Sequence, residues 1–357
     1  MKQSTMPVIL IYGAYGYTGK LIIEEFNAQG AEAILAGRRE EPLKALAVKY
    51  DWPYRVFDLK DKNEVAKALK RVDVVLHCAG PFIHTANIMA QGCMLSKTHY
   101  LDITGEFQVF EQMAEWNDKA KAAGIMLMPG VGFDVVPSDC LAKHLVERLP
   151  TAINLQLAFT SDGGGVSRGT AKSAIEGLGY GGMIRQDHQL MRVPVDHKVK
   201  KINFHWLQQE CAAIPWGDIS TAYRSTGIPD IEVFMGMDPK MLSSLKWGRR
   251  LSWLLRKEFV KNYLRKKVEQ KPEGPDEKTR KKTHSYFWGK VTDNAGNEFI
   301  TVQKTLEGYT LTAKTATDIA IEVSEGNFKV GYQTPSGLLG PDYIMKFKGS
   351  ERIDLTK

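Results

Sequence analysis

The stretch "VILIYGAYGYTGK", Val8 to Lys20, carries the reading of the fold. Five apolar residues, Val8 to Tyr12, run straight into three glycines spaced by three: Gly13, Gly16 and Gly19. The apolar run reads as a buried strand, and the apolar face of Thr18–Ala28 (Leu21, Ile22, Phe26) reads as a helix. A glycine loop between a strand and a helix is where a dinucleotide pyrophosphate rests on a helix N-terminus. Gly13 would permit the tight turn, Gly16 the approach of backbone to phosphate, and Gly19 close packing of helix on strand. Tyr15, Tyr17 and Thr18 complete the loop. The spacing is GxxGxxG rather than GxGxxG, so the strand–loop–helix context carries the assignment more than the motif does.

The alternation continues to residue 128. Strands are predicted at 33–36, 54–57, 72–76, 100–103 and 125–128, and helices at 41–49, 63–70, 83–95 and 107–123. This pattern implies an α/β fold with a Rossmann-type, doubly wound parallel sheet. At the end of the second strand "AGRRE" places Arg38 and Arg39 where an NAD-binding protein has an acid. Two guanidinium groups suit a 2′-phosphate, so the cofactor is expected to be NADP(H). Asp58, after the third strand, is a contact for adenine or a helix cap. "HCAGPF" (His77–Phe82) puts Ala79, Gly80 and Pro81 in a turn after the fourth strand, on the ribose and nicotinamide side.

With 357 residues, 43% hydrophobic and 25% charged, the chain has material for two domains. No secretory leader is read at the N-terminus and no run of 18 apolar residues occurs, so a cytoplasmic protein is expected. Its four scattered cysteines read as reduced thiols, and no metal-ligating spacing is present. The net charge of +7 is uneven: Lys240 to Lys290 holds 16 Lys/Arg and 5 Asp/Glu. There, residues 241–268 read as one basic amphipathic helix. Leu251, Leu255, Phe259 and Tyr263 lie on one face, Arg250, Lys257, Lys261 and Arg265 on another, with Trp247 and Trp253 added. Such a helix suits a membrane surface, peripherally, or an acyl carrier. The plainer alternative packs its apolar stripe inward and leaves its charges solvated. No nucleic-acid module accompanies it.

Candidate chemistry falls at the C-terminal ends of predicted strands. In "HYLDITGE", Tyr100 is a hydrogen-bond or proton donor by residue type, and Asp102 would orient it or a water. A core tyrosine and a helix-capping acid are the plainer readings. In "GFDVVPSD", Phe133 and Asp134 are candidate substrate residues, and Pro137, Ser138 and Asp139 look like a helix start. Residues 163–183 read as a glycine-flanked lid, with Arg168 and Tyr180 as substrate contacts. Strands are expected at 285–292, 298–303 and 309–312, with a helix at 316–323.

The glycine loop, "AGR", "CAGPF", "THYLDITGE" and "GVGFDVVPSD" together resemble the saccharopine dehydrogenase-like oxidoreductases. "SRGTAKSAIE", "GPDEKTRKKTHSYFWGKV", "GYTLTA" and "TPSGLLGPDY" resemble the trans-acting enoyl reductase branch. The resemblance implies an NADP-binding domain at 1–140, an α+β substrate domain with a mixed sheet at 141–313, and a C-terminal 314–357 that returns to the first. It also implies reduction of a C=C bond in a hydrophobic, enoyl-type small molecule. Two alternatives stay open: a saccharopine-type reductase acting on an amino acid/keto acid imine, with Arg168, Arg185 and Arg192 as carboxylate clamps, and a non-catalytic NADPH-binding protein at a lipid surface. Pairing across the substrate-domain sheet would make a homodimer.

Overall fold

The apolar tetrads of the N-terminal half are strands. In this computed structural model, which describes residues 7–356, β1 (Ile9–Tyr12), β2 (Ile34–Gly37) and β4 (Val74–His77) are buried at every position. Burial on both faces is what a parallel sheet covered by helices requires. β3 (Tyr54–Val56), β5 (His99–Asp102) and β6 (Met126–Met128) extend the sheet. Between them lie α1 (Tyr17–Ala28), α2 (Glu40–Tyr50), α3 (Lys62–Ala68) and α4 (Phe82–Ser96), then α5 (Phe107–Glu115) and α6 (Asn117–Ala123). The single helix expected over 107–123 is interrupted at Trp116, whose indole packs against the core formed by Leu10, Val75, Met89 and Leu127.

The strands are ordered 3-2-1-4-5-6, all parallel, so the chain reverses direction across the sheet between β1 and β4. Ligands bind at such a reversal, beyond the strands' C-terminal ends. Residues 7–104, 108–133 and 309–333 make up this first unit. The return is α14 (Gly308–Ser324) and the short β15 (Gly331–Tyr332), which pairs in parallel with β6. The strand expected at 309–312 is therefore the first turn of a helix. "GYTLT" alternates locally, but Leu311, Thr315, Ile319 and Val323 repeat at the helical period and are all buried.

Residues 105–107, 134–308 and 334–356 form the second unit. It contains α7 (Val136–Arg148), β7 (Ala152–Ser161), α8 (Arg168–Gly177), β8 (Gly182–Gln186), β9 (Gln189–Val193), β10 (Val199–Asn203) and β11 (Gln208–Ala213). Next come α9 (Asp218–Thr226), β12 (Asp230–Gly236), α10 (Pro239–Arg250), α11 (Ser252–Leu255), α12 (Glu258–Glu269) and α13 (Glu277–Lys282). β13 (His284–Asp293), β14 (Glu298–Leu306), α15 (Pro335–Leu339) and β16 (Glu351–Asp354) complete it. The sheet is mixed, ordered β10-β11-β12-β7-β13-β14-β16, with β8 and β9 branching from β12. β7 and β12 run parallel and the other pairs antiparallel. The β13–β14 hairpin turns where expected, with Asp293 accepting from the Ala295 and Asn297 amides. α7 lies so close to β13 that a Cβ at Gly289 would come within 2.5 Å of Leu145.

Two expectations need correcting. Residues 334–356 do not return to the first unit. β16 pairs antiparallel with β14, and Arg352 is held by Gln303 Oε1 (3.1 Å) and Asp342 Oδ1 (2.8 Å). The basic segment is three helices, broken at Leu251 and at Lys257, whose backbone is extended. These breaks re-aim α12 so that its basic side meets an acid on α8. The side chain of Trp247 lies outside the described residues.

Candidate functional site

The glycine loop is built by contacts that only glycine permits. Gly13 has φ +85°, and a Cβ there would sit 3.0 Å from Ala79 of the loop after β4. Its amide donates to Ala36 O at 2.8 Å, joining the ends of β1 and β2. A Cβ on Gly19 would fall 2.4 Å from Gly13 O and 2.9 Å from Ala14 O, so α1 can start this close to β1 only without a side chain. α1 has no side-chain cap at Gly16 and no acid in its first turn, which leaves its N-terminal dipole open to an anion. Tyr17 and Thr18 open this helix, and the Tyr17 ring meets Tyr309 edge-on at 5.1 Å.

Tyr15 ties this loop to the arginines. Its ring lies against Gly37, its hydroxyl accepts from the Arg38 amide at 3.2 Å, and the Arg39 guanidinium stacks over it at 4.7 Å. Arg38 and Arg39 are exposed just beyond β2. Asp58 lies within electrostatic range of Arg38. Partial burial opposes its ionisation, but the Leu59 amide (2.7 Å), Lys60 (3.2 Å) and Arg38 together hold the carboxyl below its ordinary range. A glycine loop at an uncapped helix N-terminus and an exposed guanidinium pair thus occupy neighbouring strand ends.

Ala79, Gly80 and Pro81 line the turn after β4, with the Gly80–Pro81 peptide cis. Thr85 Oγ1 donates to Ala79 O at 2.8 Å and sits 3.0 Å from His77 Nε2. Burial lowers the His77 pKa to about 3, so this histidine is neutral and structural. The structure brings Tyr100 and Asp102 together: the tyrosine hydroxyl donates to Asp102 Oδ2 at 2.6 Å. Both are fully buried, and Asp102 Oδ1 accepts the amides of Thr104 (3.0 Å) and Gly130 (2.9 Å). The pair pins the loops leaving β5 and β6. Phe133 is half-buried, and its amide donates to Thr312 Oγ1 at 3.0 Å.

In the second unit the two strand-end motifs converge on acids. Burial, then the neighbouring Glu106 carboxylate, raises the Asp134 pKa to about 7. Asp134 Oδ2 lies so near Gly105 that a Cβ there would meet it at 2.8 Å. Trp216 Nε1 donates to Asp134 O at 2.8 Å, and Trp216 packs on Phe159 with ring centroids 5.0 Å apart. Glu106 accepts from Ser173 Oγ of α8 at 2.6 Å. Behind them Asp139 takes the Ser225 hydroxyl (2.6 Å) and the Ser336 amide (2.8 Å), while burial, with Asp139 and Asp134 nearby, pushes Asp218 well up. A carboxyl that titrates near neutrality, beside a second one, is suited to proton transfer. Sequence reasoning placed Asp134 near substrate but missed its partnership with Glu106. The signal was present, because both residues follow neighbouring strands.

The residues 163–183 expected as a lid fold into α8 and the start of β8. Arg168 Nε donates to Lys271 O at 2.6 Å, and the Tyr180 ring lies beneath Arg256 (5.4 Å) and Lys261 (5.0 Å). Both are thus engaged by the basic segment. Arg185 is buried, donating to Ile219 O and His188 O, each at 2.7 Å.

Residues 9–128 match the family model described as the saccharopine dehydrogenase NADP binding domain. The first 128 residues thus carry a domain similar to the NADP-binding domain of the saccharopine dehydrogenases. The chain is 32% identical over 149 residues to a trans-acting enoyl reductase of Mycobacterium leprae, covering 40% of this chain and 36% of that protein. It is 25% identical over 250 residues to a saccharopine dehydrogenase-like oxidoreductase of Rattus norvegicus, covering 61% and 58%. The chain therefore spans between about a third and three fifths of the length of these relatives. An apo saccharopine dehydrogenase (L-Glu forming) from Saccharomyces cerevisiae superposes over 98% of this chain and 100% of its own, with TM-score 0.66 at 13% identity, a likeness of fold.

As in the matched domain, the cofactor is NADP(H), and the loop fits it: a glycine turn open to an anion, and two exposed arginines at the end of β2. Substituting both Arg38 and Arg39 by alanine should weaken NADPH binding about tenfold or more and leave NADH affinity nearly unchanged. Parallel fluorescence titrations measure this. An equal loss for both cofactors would remove the arginines from 2′-phosphate recognition.

Proposed function

We propose that this protein is an NADP(H)-dependent oxidoreductase that reduces a carbon–carbon double bond conjugated to a carbonyl in a hydrophobic molecule. When bound, NADPH supplies the hydride. Addition at the β-carbon leaves an enolate whose α-carbon takes a proton. Asp134 is the group we assign to deliver it, because near neutrality it holds a proton and can release it, with Glu106 tuning that balance. Tyr100 and Asp102 act as positioning residues in this reading, since the hydroxyl proton is engaged by the carboxylate it meets.

One observation favours this substrate class over an amino acid/keto acid imine. Such an imine carries several carboxylates and calls for arginine clamps. Arg185 and Arg168 both direct guanidinium N–H groups to backbone carbonyls, and Arg192 is exposed on β9. The names of the mycobacterial relatives point the same way. As a partner we read the basic helices as a docking face for a lipid surface or an acyl carrier.

Offering enoyl thioesters and keto acid/amino acid mixtures separately, and following NADPH oxidation, tests the reading. Turnover with the thioesters alone is expected. Turnover only with the mixtures would replace it by the saccharopine-type reaction. Tight NADPH binding with no turnover on either would favour a non-catalytic cofactor-binding protein.

A further inference from the structure

The amphipathic segment is not mounted as its apolar stripe predicts. In α12 the charged residues Lys261 and Arg265 point into the unit. Lys261 is 3% exposed, and its Nζ donates to Glu176 O at 3.0 Å. Arg265 Nη2 donates to Glu176 Oε1 at 2.6 Å and Nη1 reaches Glu258 Oε2 at 3.1 Å. Two of the cations of α12 are thus engaged by Glu176 of α8. Left outside are three aromatic rings, Phe259 at 67% exposed, Trp253 at 63% and Tyr263 at 56%, with Leu251 and Met241 also exposed. Burying a large apolar group contributes about 1.5–3 kcal/mol, so three outward aromatic rings on one short stretch call for an occupant.

The surrounding charge identifies that occupant. Arg249, Arg250, Arg256, Lys257, Lys266 and Lys267 are exposed along the same stretch, against two exposed acids, Glu258 and Glu269. On α12 itself, Phe259 and Tyr263 share a face with Lys266 and Lys267, and Lys267 Nζ lies 4.7 Å over the Tyr263 ring. Among the described residues no helix is long and apolar enough to cross a membrane. Exposed aromatic rings on short surface helices with a clear excess of exposed cations match the interface of an anionic bilayer. There the rings enter the headgroup boundary and the lysines meet lipid phosphates.

We propose that α10–α12 dock this protein on anionic lipid surfaces through Trp253, Phe259 and Tyr263, with Lys266 and Lys267 as phosphate contacts. Docking deepens the reading of a hydrophobic substrate and rests on it for its purpose. Glu176 and Ser173 of α8 link the docking helix to Glu106 beside Asp134. The acid pair therefore stands one helix away from the lipid-facing element.

The test needs neither cofactor nor substrate, so it can fail separately from the reduction assay. The full chain is sedimented with phosphatidylcholine vesicles, with and without phosphatidylglycerol. Binding is expected only with the anionic lipid and should fall as salt rises. W253S/F259S/Y263S and, separately, K266E/K267E should each weaken it about tenfold or more. NADPH titration and the thermal melt of both variants should match the parent, showing that they fold. No sedimentation with anionic vesicles, equal sedimentation with neutral ones, or unchanged binding by both folded variants would overturn the proposal. Self-association abolished by W253S/F259S/Y263S would also overturn it, by making a second copy the occupant.

Discussion

Asp134→Asn should lower the turnover number about 10²- to 10⁴-fold at neutral pH while leaving NADPH affinity unchanged. Asparagine keeps the shape and cannot deliver a proton. The parent enzyme should also lose rate with pH in a definite direction. Burial and Glu106 raise the Asp134 pKa to about 7 from an ordinary 3.8, so the carboxyl stays protonated well above the usual range and ionises as pH climbs past neutrality. A general acid works in its protonated form. The rate should therefore be full on the acid side of 7 and fall above it, and that limb should vanish in Asp134→Asn. Glu106→Gln removes the neighbouring negative charge, so the limb should move to lower pH. A pH–rate profile of the three proteins measures this. A limb that persists unchanged in Asp134→Asn would assign the proton to another group.

Gly19→Val should abolish measurable NADPH binding at concentrations that saturate the parent. The added Cβ would lie 2.4 Å from Gly13 O and 2.9 Å from Ala14 O, and these atoms are backbone. Neither can swing aside as a side chain does, so α1 must back away from β1. That movement opens the cradle and misplaces the helix N-terminus. Overpacking at such a position costs about 1–3 kcal/mol, so the melting temperature should drop as well. Gly177→Ala serves as the control, because a Cβ there meets nothing within 4 Å and alanine is the better helix former. Full NADPH affinity in Gly19→Val would mean that the loop does not hold the pyrophosphate.

Much of the first unit was legible because its signals are local. β1, β2 and β4 are short apolar runs, and their length and the glycines and prolines that follow assign them. Arg38 and Arg39 could be assigned a ligand because a strand end in this topology has a known address. The helix at 308–324 was harder. Its first residues alternate like a strand, and only the wider window shows the helical stripe that packs inward. The end of the chain was misassigned for a related reason. "RID" at 352–354 is too short to signal a strand, and its partner β14 is supplied by the tertiary fold.

The sequence by itself determined the alternation of strands and helices up to residue 128 and the place of the glycine loop and the guanidinium pair in it, because each depends on neighbours in the chain. Tertiary structure alone decided what a charge or a ring faces. The pKa of Asp134 follows from burial and from Glu106, which is distant in sequence. The hydroxyl of Tyr100 is committed to Asp102 because the fold encloses the two together. The face that α12 turns outward was set by Glu176, an acid on another helix that draws Lys261 and Arg265 in and leaves Phe259 and Tyr263 outside. Amphipathicity shows that a helix has two faces. Which residues are buried depends on the partner, and here an acid on α8 turns two cations inward beside the buried Val268.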